Sequence, residues 1–307
     1  MSREKPTFTG EARRPGSLRD PDIAVVTCAL TGVLASRKQC PAIPYTPAEI
    51  GEESRRAYDA GAAVVHIHAR NDDGSPTLSP AVFARIKEEV RRRSPILLNF
   101  STGSLADDVG EQVSTLRESR PEIAALNMGT MNYSKYSAKR KAFDFDMVFP
   151  NTYGKIITLL SAMNEAGVKP ELECFDSGHT QGVAPLLDMG VLRPPLQFSF
   201  IVNVLGGIPG HVESLQLQTR IMPAGSEWEV IGISHGQWRM LAAALVLGGN
   251  IRCGLEDHLY LPSGEMAKSN GELVEVAVRM TRDVGRRPAT IEEARGILGL
   301  GATEALA

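Results

Sequence analysis

The chain has no apolar run near the ~20 residues that a helical membrane span requires, which argues against a helical membrane protein. It also lacks a basic stripe. Its 33 Lys and Arg are offset by 36 Asp and Glu, giving a net charge of −3, and are spread along the sequence. That distribution excludes the electrostatic footprint of a nucleic-acid or anionic-membrane binder. The first stretch, MSREKPTFTGEARRPGSLRD, contains no apolar core of the secretory kind and is expected to be an N-terminal arm over 1–21, flexible or packed on a neighbour. Cysteine is scarce: Cys28, Cys40, Cys174 and Cys253 lie far apart without a CxxC spacing. This excludes a disulfide framework and reads as reduced, mostly buried thiols of a cytoplasmic protein. Only two tryptophans occur, Trp228 and Trp238, which read as core or interface aromatics. No GxGxxG follows the first apolar run, which weighs against a dinucleotide-binding open sheet.

What is present alternates between two periodicities. Eight short runs rich in Val, Ile and Leu read as strands: 23–29, 62–68, 96–101, 123–127, 171–176, 196–204, 228–234 and 250–256. They alternate poorly between apolar and polar, as parallel strands covered on both faces do. Helical patterns separate most of them. Thr46, Pro47 and Glu49 form a capping-box start for a helix that should run to Ala60 and stop at Gly61. A second helix is expected near 80–93. Ser269 and Glu272 make another capping box, followed by Leu273, Ala277, Met280 and Val284 at near-helical spacing, with Gly285 as the stop. Eight β-then-α units in this length predict a TIM (β/α)8 barrel occupying 22–307 as one catalytic domain behind the short N-terminal extension. The rival is a doubly wound open sheet.

Barrel chemistry collects at the C-terminal ends of the strands. The second strand ends His66-Ile67-His68. Period-two alternation points both imidazoles to one side, here the barrel interior near its mouth. A divalent metal that binds both as neutral ligands resolves the repulsion their protonation would create. Glu256, ending the eighth strand, completes a His2Glu set with open positions. Arg252, within the same strand, needs a partner to be tolerated there, either Asp257 or a bound anion. Ser101, Thr102 and Gly103 follow the third strand and offer hydroxyls and N–H groups to a carboxylate or phosphate. Asn127 and Glu173 add polar groups to the fourth and fifth strands. A metal-dependent hydrolase of the amidohydrolase type also uses HxH, and His179 and His235 after the fifth and seventh strands keep that alternative open; His211 reads as loop surface and His258, directly after Asp257, as pointing away from the lumen.

TCALTG (27–32), HIHARNDDGSP (66–76), NFSTGS (99–104), ALNMGTMNY (125–133), PELECFDSG (170–178) and IRCGLED (251–257) together resemble the β-keto acid cleavage enzymes, in order from about residue 22 to 299. The resemblance implies a TIM barrel, often a homotetramer, that converts a β-keto acid and acetyl-CoA into acetoacetate and a new acyl-CoA. It implies Zn2+ on His66, His68 and Glu256, with other divalent ions also suited to that set. It further implies Asp257 as general base oriented by Arg252, and a substrate-carboxylate pocket at Ser101 and its turn. Two departures bear on the substrate. Where the family's 3-keto-5-aminohexanoate cleavage enzyme carries a carboxylate for the substrate amine, this chain aligns Leu34; a threonine of the fourth strand becomes Ala125, while Glu173 is kept. These changes predict a neutral or partly apolar β-keto acid.

Overall fold

A computed structural model describes residues 22–106 and 108–301; the arm expected over 1–21 lies outside the described residues. Eight parallel strands close into a barrel: β1 (Val26–Ala29), β2 (Val64–Ile67), β3 (Leu97–Phe100), β4 (Ile123–Asn127), β5 (Lys169–Cys174), β6 (Gln197–Val202), β7 (Glu227–Gly232) and β8 (Asn250–Cys253). Each pairs in parallel with its sequence neighbours, and β8 closes on β1 through Ile251↔Val26. All eight expected strands are present, and the closed ring replaces the open-sheet alternative. The first apolar run is divided. Ile23–Ala24 pairs with Arg287–Pro288 below the barrel, and Val25, between the two pieces, donates its N–H to Asn250 Oδ1 at 2.9 Å.

The helices follow from their caps. Pro47–Ala60 starts at Thr46, whose hydroxyl accepts from the Glu49 N–H while Glu49 returns to the Thr46 N–H, and Gly61 ends it in the left-handed region. The helix Asn270–Asp283 realises half of its expected box. Ser269 accepts from the Glu272 N–H, but the Glu272 carboxylate reaches one residue further back, to the Lys268 N–H. Thr46→Ala is expected to cost about 1 kcal/mol of stability in chemical denaturation. Although its partial burial opposes this, the Thr46 and Tyr45 N–H groups and Arg37 pull the Glu49 carboxyl down to about 2. Its contribution is therefore complete above the usual value near 4.5 and is lost as pH falls towards 2.

Between β4 and the next helix the chain makes an excursion that the sequence reading passed over. Met131–Ser137 and Ala142–Phe149 form an antiparallel hairpin at the C-terminal rim of the barrel. Its base packs inward: Tyr133 lies against Phe145, Phe149 and Phe175, and Met131 joins Phe175, Ile201 and Ile231 in a small apolar cluster. At the opposite end Val64, Leu97 and Ile123 seal the barrel floor. The space between floor and rim is left to polar side chains. All four cysteines are free and buried, and no helix among the described residues is long and apolar enough to cross a membrane.

Candidate active site

The strand ends bring six of the expected groups together. His66, the last inward-facing residue of β2, is buried. His68 lies one step past the strand end, with the two rings 5.2 Å apart. Glu256 does not end a strand as expected, because β8 stops at Cys253. A turn at Gly254 carries it instead, and the Glu256 N–H donates to Ala29 O at 3.2 Å. A Cβ at Gly254 would stand 2.0 Å from that same carbonyl, so only glycine permits the approach. Glu256 Oε1 then sits 3.7 Å from His66 Nε2 and 3.5 Å from His68 Nε2.

These three side chains fit a divalent ion. Tetrahedral ligand atoms about 2.0–2.2 Å from zinc lie roughly 3.3–3.6 Å from one another, close to the spacings seen. Both nitrogens of His66 are buried and have no hydrogen-bond partner among the described residues, a costly condition that a metal on Nε2 would relieve. Burial and the neighbouring Arg252 guanidinium hold His66 well below its ordinary pKa, so it is the neutral ligand form. Asn99 stands beside His66 in register, and its Oδ1 is also unpartnered; it is placed to orient the imidazole from behind. A second trio of ligating side chains, His66, Glu171 and Glu173, is equally close. In that trio Glu171 is already engaged by Asn99 and Ser199, whereas the His66–His68–Glu256 set offers two imidazoles beside one carboxylate, the ligand chemistry that zinc takes.

Arg252 is the charge at the centre. Its Nε and Nη2 donate to Asp257 at 3.1 and 2.9 Å, Nη2 also reaches Glu256 at 2.5 Å, and Nη1 lies 3.6 Å from Glu173. Burial pushes the Asp257 carboxyl up, Arg252 pulls it down, and the balance is about 6. For Glu256 burial is outweighed by Arg252 and His68, which keep it well below the usual range. Burial, with Glu171 behind it, pushes Glu173 up to about 8 despite Arg252. Of the three carboxyls around one guanidinium, Glu256 and Asp257 are therefore anionic at neutral pH and Glu173 keeps its proton.

Beneath this layer lies a network absent from the sequence reading. Thr27 Oγ1 donates to Glu229 at 2.7 Å, Asn99 Nδ2 donates to Glu171, and Ser199 Oγ touches Glu171 at 2.5 Å and Glu229 at 3.1 Å. One hydroxyl carries one hydrogen, so it cannot donate to both carboxylates. The second contact requires a proton on an acid. Burial and the facing Glu171 push Glu229 well above the usual range, which supplies it.

The remaining expected residues divide. Thr102 Oγ1 donates to Ala125 O at 2.5 Å and is thereby committed to the backbone of β4. Ser101 Oγ accepts from the Gly103 N–H at 3.2 Å. Asn127, buried at the end of β4 opposite Glu173, has an unpartnered Oδ1. Ser101, Gly103 and Asn127 thus form the polar corner nearest the open end. Ala125 is fully buried within β4. Leu34 is exposed on the loop after Gly32. That loop is tied to the site by the Gly32 N–H on Glu256 Oε2 at 3.1 Å and by Arg70 on the carbonyls of Thr31, Gly32 and Ala35. Neither Gly32 nor Arg70 was singled out from sequence, though both lie inside the quoted motifs. His179 accepts the Phe175 N–H on Nδ1 and His235 is exposed in a one-turn 3-10 helix. Neither joins the His66–His68–Glu256 group, which weakens the hydrolase alternative.

Gly32 has φ +56, and a Cβ there would meet Glu256 Cγ at 2.8 Å. Gly32→Ala is therefore expected to displace the carboxylate and weaken metal binding about 10- to 100-fold, measurable by competition with a chromogenic chelator.

The sequence profile of the beta-keto acid cleavage enzyme family matches residues 24–300. The chain belongs to this family. It is 36% identical to the 3-keto-5-aminohexanoate cleavage enzyme of Fusobacterium nucleatum over 277 residues, covering 90% of this chain and 97% of that one. It is 32% identical over 295 residues to the 3,5-dioxohexanoate:acetyl-CoA acetone transferase of Paraburkholderia graminis, covering 90% and 95%, and 31% identical over 284 residues to the 3-oxoadipate:acetyl-CoA acetyltransferase of Cupriavidus necator, covering 91% and 96%. Among solved structures, apo ObcA superposes with a TM-score of 0.71 at 22% identity, covering 85% of this chain and 66% of that one, a likeness that establishes the shared fold. The relatives of this beta-keto acid cleavage enzyme family member differ in the substrate that their names carry.

Proposed function

We propose that this enzyme exchanges the acyl group of a β-keto acid with acetyl-CoA, releasing acetoacetate and a new acyl-CoA. The observation that carries the reading is the juxtaposition of the His66–His68–Glu256 group with the Arg252–Asp257 pair. A divalent ion, zinc in our reading, supplies Lewis acidity at that group when bound. Asp257 takes the α-proton; with its carboxyl near 6 it is deprotonated at neutral pH yet basic enough to serve. Arg252 orients it with two hydrogen bonds. The polar corner of Ser101, Gly103 and Asn127 holds the substrate carboxylate, while Thr102 stiffens it through Ala125 O. The resulting carbanion attacks the acetyl thioester, CoA thiolate leaves and attacks the other ketone, and cleavage between that carbonyl and the α-carbon gives acyl-CoA and an acetoacetate carbanion that takes the proton back from Asp257.

The substrate is a neutral or partly apolar β-keto acid. Leu34 stands on the loop beside Glu256, Ala125 offers no hydroxyl, and Ile201, Ile231, Phe175 and Met131 form an apolar wall at the mouth. Glu173, protonated up to about pH 8, donates a hydrogen bond to a hydroxyl or carbonyl rather than pairing with an ammonium. A neutral substrate is expected to show kcat/KM at least on the order of tenfold above its amino counterpart at pH 7; a preference for the cation contradicts the assignment. Family likeness supports a homotetramer, and the four reduced, buried cysteines support a cytoplasmic setting. The test is a panel of β-keto acids on metal-loaded and chelated enzyme. Acetoacetate should appear only with acetyl-CoA and metal, and CoA-independent hydrolysis would favour the amidohydrolase-type alternative.

A further inference from the structure

At the end of the barrel opposite the mouth, the loops entering β4, β5 and β6 and the segment 295–301 enclose a groove of about 550 Å3. Its size suits a small molecule. Among the described residues six cationic side chains line it, Lys87, Arg91, Arg120, Lys169, Arg193 and Arg295, against a single carboxylate, Glu122. That carboxylate is already taken. Arg91 Nη2 holds both of its oxygens at 2.5 and 2.6 Å, and the Leu98 N–H donates to one of them at 3.1 Å. Arg295 reaches it only at 3.9 Å, and its Nε is buried without a partner.

Lys87, Arg120, Lys169 and Arg193 form no ion pair among the described residues, although Glu122 lies near enough to act on Lys87, and Arg120 Nε donates to Arg117 O at 3.1 Å. Lys87 donates to the carbonyls of Ser119 and Arg120 and Lys169 to that of Pro195. Burial lowers the pKa of both ammonium groups. Arg193 is exposed with no ion pair or hydrogen bond among the described residues. Arg120 occupies the left-handed position after the helix Gly110–Ser119, at φ 39 and ψ 67, where glycine is favoured. Its strain is tolerated at a place where the side chain faces the groove, a pattern that accompanies ligand sites. Converging, partly desolvated positive charges repel one another and are relieved by a multivalent anion with several oxygens in reach.

We infer that this groove is a binding site for a small polyanion of the phosphoanhydride class, separate from the catalytic mouth. The inference does not rest on the proposed reaction. It is tested by calorimetry and thermal unfolding of the full chain with inorganic pyrophosphate and with ADP, each at constant ionic strength against a chloride control. Saturating pyrophosphate should raise Tm on the order of 5 °C. The exposed pair R120E/R193E should weaken binding by at least about tenfold while leaving kcat with acetyl-CoA unchanged. Equal affinity for the two probes assigns recognition to the phosphoanhydride alone, and tighter ADP binding assigns it to a nucleotide; both support the site. Absence of heat and of any Tm shift with either probe, or an undiminished shift in R120E/R193E, overturns it.

Discussion

Asp257→Asn is expected to lower kcat by about 10²- to 10⁴-fold, the range that a positioned general base contributes, while the metal stays bound. Asparagine keeps the shape and can still accept from Arg252, but it cannot take the α-proton. In the wild-type enzyme kcat/KM should rise with pH through about 6, because the base works only when deprotonated. The limb should vanish in the variant, whose residual rate has no carboxyl to titrate at that position. Steady-state kinetics between pH 5 and 8 check both, the window being about one to two units either side of the midpoint. A variant that keeps most of its kcat would move the base to another residue.

Arg252→Met is the most damaging single change expected for the fold itself. The guanidinium is buried and engages Asp257 and Glu256, with Glu173 at 3.6 Å. Removing it leaves anionic carboxylates facing one another without a counter-charge, and breaking a buried network from one side costs about 3–5 kcal/mol. For a chain of this size that corresponds to a Tm drop of about 10 °C. The loss should shrink at acid pH: without Arg252 to pull it down the Asp257 carboxyl titrates above about 6, and its protonation removes part of the repulsion. Differential scanning calorimetry at two pH values measures it. An unchanged Tm would mean that the pairing contributes to chemistry alone.

The barrel was legible because its signals are local. Short Val- and Ile-rich runs, capping residues at Thr46 and Ser269, and a stop glycine at Gly61 each act within a few positions. The grouping of His66, His68 and Glu256 was legible because the two histidines are spaced to face one side and Glu256 follows the last strand by a short turn. The hairpin at 131–149 was passed over although Phe143, Phe145, Met147 and Phe149 alternate, since its turn carries no Asn-Gly or Gly-X signal. Glu171, Ser199 and Glu229 sit on three strands and meet only when the barrel closes, so no spacing along the chain announces them. The opposite holds for Thr102. Its type and place fit a substrate contact, yet a hydrogen bond to Ala125 O engages its hydroxyl, a partner supplied by register rather than by neighbouring sequence.

The decisive measurement follows carbon. Enzyme loaded with metal is given a β-keto acid and acetyl-CoA isotopically labelled at the acetyl carbonyl, and both products are analysed by mass spectrometry and NMR. The account predicts label at the keto carbon of acetoacetate and an unlabelled acyl-CoA that carries the substrate's tail, formed in equal amounts. Unlabelled acetoacetate, or consumption of the keto acid with the acetyl thioester left intact, would contradict it.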